Sequence, residues 1–171
     1  MINSPNYRIT IRNTEIHELD QVARVILSAY VEYASSLSSD TWQQYSEDIL
    51  DVHSRMPEAD LIVAVSGSEF IGSATFFPMG ENRECVIWPD DWTGIRLVGV
   101  IPSYRGQGIA RMLMEECILR SRRQGAIAVG LHTTPLMTIA AKLYEDMGFV
   151  RAYEHENPSS ESTTMAYKLT L

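Results

Sequence analysis

The segment Val98-Gly99-Val100-Ile101-Pro102-Ser103-Tyr104-Arg105-Gly106-Gln107-Gly108-Ile109-Ala110 constrains the fold of this chain more than any other. A β-prone run ends at a proline, turns through two glycines and enters a helical pattern that runs from Gly108 to Gln124 and stops at Gly125, the residue type that most often ends a helix. Positions 106, 108 and 110 carry only glycine or alanine. A helix start leaves its first N–H groups unpaired and bears a partial positive charge. Removing side chains there lets a phosphate approach bare amides. The competing account is that Gly106 and Gly108 only relieve backbone strain on entry to the helix. Two phosphate-binding turns do not fit the spacing. A nucleotide P-loop closes on Gly-Lys-Ser/Thr, but Ile109 and Ala110 follow Gly108. A dinucleotide-binding turn needs a third small residue where Arg111 stands and an acid about 20 residues on, where residues 126–130 offer none.

The remaining patterns describe a sheet with helices against it. Residues 7–12 read as a short strand. Ile16, Leu19, Val22, Ala23, Ile26, Leu27 and Tyr30 recur at three-and-four spacing, which predicts a helix over 15–33. Asp40, with Gln43 three residues on, suits a helix N-cap, and Trp42, Tyr45, Ile49 and Val52 carry that second helix towards Pro57. Residues 61–65 and 70–77 are β-rich and flank Ser66-Gly67-Ser68, a hairpin turn. A third β run covers 96–101. In the helix after it, Ile109, Met112, Leu113 and Cys117 form the apolar stripe, with Arg111, Glu115 and Arg122 on the wet side. Residues 128–133 form the next strand, and Leu136, Ala140, Leu143 and Met147 mark a helix ending at Gly148. Two further strands, 149–154 and 163–169, have no helix between them and should pair antiparallel. The pattern predicts an α/β chain with a mixed sheet, a single domain over 1–171 with at least one parallel crossover.

Charge narrows the partners. With 14 Lys+Arg against 22 Asp+Glu the formal net charge is −8, which disfavours nucleic acids and anionic membrane surfaces and tilts towards cationic partners. Apolar runs such as 61–65 are far short of the ~20 residues of a membrane span. The first twelve residues lack the marks of a secretory signal, so a cytoplasmic protein is expected. With only Cys85 and Cys117 present, reduced thiols are expected rather than a disulfide framework. His17, His53 and His155 lack paired-ligand spacing, so no metal site is expected.

Arg105, Gly108 and Ala110 match Arg/Gln-x-x-Gly-x-Gly/Ala, and the turn resembles the acyl-CoA loop of the GNAT N-acetyltransferase superfamily. Leu143-Tyr144-Glu145-Asp146-Met147-Gly148-Phe149 is similar to that family's Leu-Tyr-Glu-x-x-Gly-Phe ending, and the element order looks like the family's across nearly the whole chain. One departure is Met137, seven residues before Tyr144, where many members carry Asn.

The resemblance implies the GNAT acyl-CoA N-acyltransferase fold, with a central mixed, mostly antiparallel sheet, and acetyl-CoA (coenzyme A) as cofactor. The amides of Arg105, Gly106, Gln107, Gly108, Ile109 and Ala110 would hold its pyrophosphate. Val98, Gly99 and Val100 would part from the strand starting at Ala128 and pair with the pantetheine arm, an N–H near Val100 polarising the thioester carbonyl. Tyr144, a phenol protonated at neutral pH, would be the general acid towards the leaving thiolate. No metal is required. A primary amine acceptor of pKa ~10.4 must first lose a proton, so a base or water relay is implied, with His132, Glu84, Asp90 and Asp91 as candidates. Tyr30, Tyr33, Trp42 and Tyr45 lie where the family walls its acceptor pocket, although their spacing equally suits buried packing. Cys117 is mid-helix on the apolar side and Cys85 lacks a helix N-terminus, so direct attack in a ternary complex is expected over a cysteine relay. The two closing strands could pair between subunits of a homodimer. The alternative to an enzyme is an acyl-CoA-binding regulatory or scaffold module without catalysis.

Overall fold

The computed structural model describes residues 8–80, 87–156 and 164–171. Its strands are β1 (Ile9–Asn13), β2 (Asp60–Ser66), β3 (Glu69–Phe77), β4 (Trp92–Val100), β5 (Ala128–Thr133), β6 (Val150–Arg151) and β7 (Met165–Thr170), in the spatial order β1-β2-β3-β4-β5-β7-β6. Only β4 and β5 are parallel; every other neighbouring pair is antiparallel. The helices are α1 (Leu19–Tyr30), α2 (Ser39–Leu50), the one-turn α3 (Val52–Arg55), α4 (Ile109–Gln124) and α5 (Thr138–Asp146).

Strand alternation builds a core on each face. In β2, Leu61 and Val63 pack with Val22, Ile26 and Ile49 of α1 and α2, while Ile62 and Ala64 pack with Leu113, Met114 and Cys117 of α4. Both faces are covered, so β2 reads as an unbroken apolar run rather than as alternating polar and apolar residues. Tyr144 of α5 belongs to the α4 side.

Several boundaries differ from the sequence pattern. The helix expected over 15–33 is α1 between two 3₁₀ turns, Ile16–Glu18 and Val31–Ser36. The first turn is fixed by a reciprocal cap between Glu15 and Glu18. Ser38, not Asp40, caps α2: its Oγ accepts from the Thr41 N–H at 3.2 Å, which starts the helix at Ser39 and leaves Asp40 in the first turn. Gln43 donates to Glu47 instead of closing a capping pair. The helix expected to reach Pro57 breaks at Asp51. β4 begins at Trp92, four residues before the expected start at 96, because pairing with β5, joined by β3 from Gly94 onward, holds the segment extended despite the weak β preference of Gly94. Of 149–154 only Val150–Arg151 is strand, followed by a 3₁₀ turn at Tyr153–His155. Tyr7 and Thr163, expected at strand starts, lie outside the described residues.

Candidate active site

The turn after β4 is a cradle of unused amides. A 3₁₀ turn, Pro102–Tyr104, takes the Arg105 N–H, which donates to the Pro102 carbonyl at 3.3 Å. The first helical bond of α4 runs from Met112 N–H to Gly108 O at 3.0 Å. Between them the N–H groups of Gly106, Gln107, Gly108, Ile109, Ala110 and Arg111 have no acceptor among the described residues. The expected set therefore loses the Arg105 amide, consumed by the 3₁₀ turn, and gains that of Arg111. Gly106 and Gly108 both have φ of +77°, and a Cβ on either would meet nothing within 4 Å. Backbone conformation, not crowding, selects glycine at both positions. The Arg105 side chain braces the cradle: Nε donates to Val100 O at 3.1 Å, Nη2 to Ala29 O at 2.9 Å, and Nη2 lies 2.8 Å from Glu32.

Next to the cradle the sheet opens. β4 pairs with β5 only from Trp92↔Ala128 to Ile95↔Leu131. β3 follows β4 to Val100, and β5 continues along β7 to Thr133. From Arg96 onward, β4 presents a free edge into a fork. A bulge begins the departure, with Leu97 at φ +52°. A left-handed backbone costs a side-chain-bearing residue about 1–2 kcal/mol, and strain of this kind gathers at functional positions. Ile101 N–H donates to Ile71 O of β3 at 3.0 Å; because successive residues alternate sides, the N–H of Val100 points into the fork. The carbonyls there are held, Val98 O by the Tyr30 hydroxyl at 3.0 Å and Val100 O by Arg105. A Cβ on Gly99 would lie 2.9 Å from Ala29 Cβ and 3.3 Å from the Tyr30 ring, so glycine there brings α1 against β4. On the other lip, Thr133 Oγ1 and Thr134 Oγ1 are buried without partners among the described residues.

Tyr144 is 6% exposed, its ring tilted against Phe149 and Tyr167 at 6.0 and 6.2 Å. Its hydroxyl makes no hydrogen bond among the described residues. Burial, then the nearby Tyr45 and Tyr33, pushes the phenol above its ordinary pKa, so it keeps its proton. The ring sits in the α4-side core, yet it senses tyrosines from the α1/α2 side, where no strand pairing closes the fork. There Tyr30 meets Tyr45 at 5.8 Å and Tyr33 at 6.1 Å, and Trp42 meets Tyr45 at 6.4 Å. These rings pack on one another and on the α1/α2 core.

A family model described as Acetyltransferase (GNAT) family matches residues 20–149. The chain belongs to the GNAT acetyltransferase family. This GNAT protein is 26% identical over 143 residues to an uncharacterized N-acetyltransferase, YjgM, of Escherichia coli K12, covering 81% of this chain and 80% of that one. A GNAT acetyltransferase structure from Staphylococcus aureus Mu50 has a TM-score of 0.73 at 16% identity, covering 96% of this chain and 99% of the other. The PaiA N-acetyltransferase of Thermoplasma acidophilum, solved in complex with coenzyme A, has a TM-score of 0.71 at 17% identity, with coverage of 95% and 99%. At those identities the two structures establish the shared GNAT fold.

The base candidates separate by position. His132 follows the last β4–β5 pair and lies at the fork. Burial lowers its pKa and so favours the neutral ring; with Nε2 donating to His155 O at 3.0 Å, Nδ1 is left as the proton acceptor. Its ring stacks on Trp88 at 4.6 Å. Asp90 and Asp91 are exposed before the opposite end of β4, Asp91 four residues short of the last pair, about 13 Å along a strand. That distance removes both from the fork. Glu84 and Cys85 lie outside the described residues. Cys117 is fully buried and burial pushes its thiol up to about 12, so it is no nucleophile. Met137, the departure from the resembled pattern, is 8% exposed and packs with the α1/α2 core. Among the described residues no cluster of three or more metal-ligating side chains occurs, and no helix is long and apolar enough to cross a membrane. The sequence pattern passed over Arg96 and the strained Leu97. An arginine inside an apolar β run was the available signal for the first; a bulge has no local signature.

Proposed function

We propose that this GNAT protein is an acetyl-CoA-dependent N-acetyltransferase that moves acetyl to a primary amine by direct attack in a ternary complex. The observation that carries it is the run of unpaired amides from Gly106 to Arg111 at the end of a strand whose edge has come free. Coenzyme A in the Thermoplasma relative supports the choice of cofactor. Acetyl-CoA, when bound, supplies an activated thioester on an arm that ends in a pyrophosphate.

The chain's own groups fit that molecule. Gly106, Gln107, Gly108, Ile109, Ala110 and Arg111 donate N–H bonds to the pyrophosphate, aided by the α4 dipole, so no lysine is needed and a net charge of −8 is tolerated. The free edge of Val98, Gly99 and Val100, with the orphaned Thr133 and Thr134 hydroxyls opposite, binds the amide-bearing arm. Val100 N–H would donate to the acyl oxygen, where negative charge would develop. Tyr144 would donate towards the sulfur of the leaving thiolate. Moving a proton from a phenol of pKa ~10 to a thiolate of pKa ~8.5 is uphill by about 2 kcal/mol, and burial widens the gap, so Tyr144 stabilises the charge chiefly as a hydrogen-bond donor. His132, neutral and set at the fork, accepts the proton of the incoming amine. Cys117 is sealed and offers no covalent relay, which supports direct attack by the amine.

The test mixes the protein with acetyl-CoA and a panel of primary amines and follows free thiol. Thiol release lost in Tyr144→Phe, with coenzyme A affinity retained by calorimetry, supports the enzyme. Tight binding with no turnover across the panel would instead make the protein an acyl-CoA-binding module.

A further inference from the structure

Arg96 stands where β4 and β5 separate, the first β4 residue without a β5 partner. Among the described residues its guanidinium makes one hydrogen bond, Nη2 to Asp48 Oδ2 of α2 at 3.2 Å, and its side chain is 35% exposed. Asp48 is itself shared, lying 3.7 Å from the buried Arg55. The other arginines with side-chain hydrogen bonds are more fully engaged. Arg12, Arg55, Arg105, Arg120 and Arg151 each form two or more. A guanidinium carries five N–H donors in a planar fork that matches a carboxylate at two points, and most of that fork is unused in Arg96.

A second, independent observation lies beside it. Thr75 faces Arg96 across the β3–β4 ladder and therefore shares its side of the sheet. It is 2% exposed, and its Oγ1 has no partner among the described residues. A buried hydroxyl without a partner costs roughly 1–3 kcal/mol, a cost that a polar group entering beside Arg96 would offset. The charge of Arg96 is also felt at Tyr30, Tyr45 and His132, so the guanidinium is within electrostatic reach of both the aromatic cluster and the candidate base.

We propose that Arg96 binds a carboxylate on the acceptor, so that the substrate is an amino acid or a similar small amine bearing a carboxylate rather than a polycation. This rests on the acetyltransferase reading above and runs against the sign of the protein's overall charge. The local field at the fork, set by one under-used guanidinium, governs which acceptor is held; the −8 of the whole surface acts at longer range and is screened by salt. The aromatic rings of Tyr30, Tyr33 and Tyr45 supply the apolar wall against which the uncharged part of such an acceptor packs.

The test compares matched acceptors with acetyl-CoA by thiol release: L-phenylalanine, L-phenylalaninamide and phenethylamine; L-methionine, L-methioninamide and 3-methylthiopropylamine; and spermidine. The expected result is a kcat/KM at least about tenfold higher for an acid than for its amide or decarboxylated partner, since a site built to bond a polar group rejects the analogue that lacks it. In Arg96→Gln that preference should shrink to about twofold, through KM of the acceptor, with acetyl-CoA affinity unchanged; Arg96→Lys should recover part of it by charge alone. Amides, decarboxylated amines or spermidine turned over as well as the acids by the unmodified protein would overturn the proposal, whatever the variants do. Thiol release with none of these amines, spermidine included, would overturn the acetyltransferase reading itself, and the persistence or absence of turnover tells the two failures apart.

Discussion

From Trp92 to Ile95, β4 has a neighbour on each side, β3 and β5; from Arg96 to Val100 it has β3 alone. The first half is ordinary sheet. Gly94 faces Gly130 across the parallel ladder, and Trp88 lies flat over Gly130 so closely that a Cβ would run into its indole. The second half holds a bulge, a leucine at positive φ, an under-used arginine and an N–H aimed at open space. One strand thus has two environments: where its backbone bonds are satisfied by protein it stabilises the fold, and where they are withheld it offers the edge proposed to receive the cofactor. Groups left unpaired inside a protein are costly, so their concentration at the fork and the adjoining cradle points to a ligand that pairs them.

Substitutions in the two halves should separate binding from stability. The largest effect is expected at the fork: Tyr144→Phe should lower kcat by about 10²-fold or more, the low end of what a positioned proton donor contributes, with coenzyme A affinity and melting temperature nearly unchanged. A similar fall in affinity would place the hydroxyl in cofactor binding instead. Next is the cradle. Gly108→Val forces a β-branched residue to φ +77° and should weaken coenzyme A by about 100-fold, or ~2.7 kcal/mol, measured by calorimetry; unchanged affinity in a folded protein would remove the cradle from the site. In the paired half, Gly130→Ala should cost about 1–3 kcal/mol of stability by overpacking against Trp88, read by denaturant unfolding, while the folded fraction binds coenzyme A normally. The smallest effect lies remote from both halves. Arg12 donates to Glu18 and holds its carboxyl down to about 2. A lowered acid contributes stability above its unfolded pKa and loses it as pH falls through the folded value, so that contribution should fade from about pH 4.5 towards 2. Arg12→Gln should flatten the acid limb over that window, and an unaltered limb would dissociate the pair from acid stability.

Much of the site was legible because it is local. The turn at Gly106 and Gly108 announces itself by the absence of side chains, and the start of α4 follows within a few residues. Tyr144 was singled out by resemblance, but its setting was not legible. Nothing near Tyr144 in the chain says that its ring would rest on Tyr167 or that its hydroxyl would sense Tyr33 and Tyr45. Asp90 and Asp91 misled for the converse reason: they are close to the cofactor strand in sequence but lie before its far end, and an extended strand carries each residue about 3.3 Å further away. The Asp40 cap failed by two residues, because Ser38 offers its oxygen first.

Apolar periodicity determined α1, α2, α4 and α5 and the hairpin of β2 with β3, because a helix turn or a strand pair joined by a short loop depends on neighbours a few positions away. Small residues at 106, 108 and 110 likewise determined the cradle. Only the tertiary structure decided that β4 begins at Trp92, that it leaves β5 after Ile95, and that Arg96, Thr75 and His132 converge at the opening. Those outcomes depend on pairing between segments far apart in the chain, where the energy of a ladder and of two covered faces outweighs what any short stretch prefers for itself.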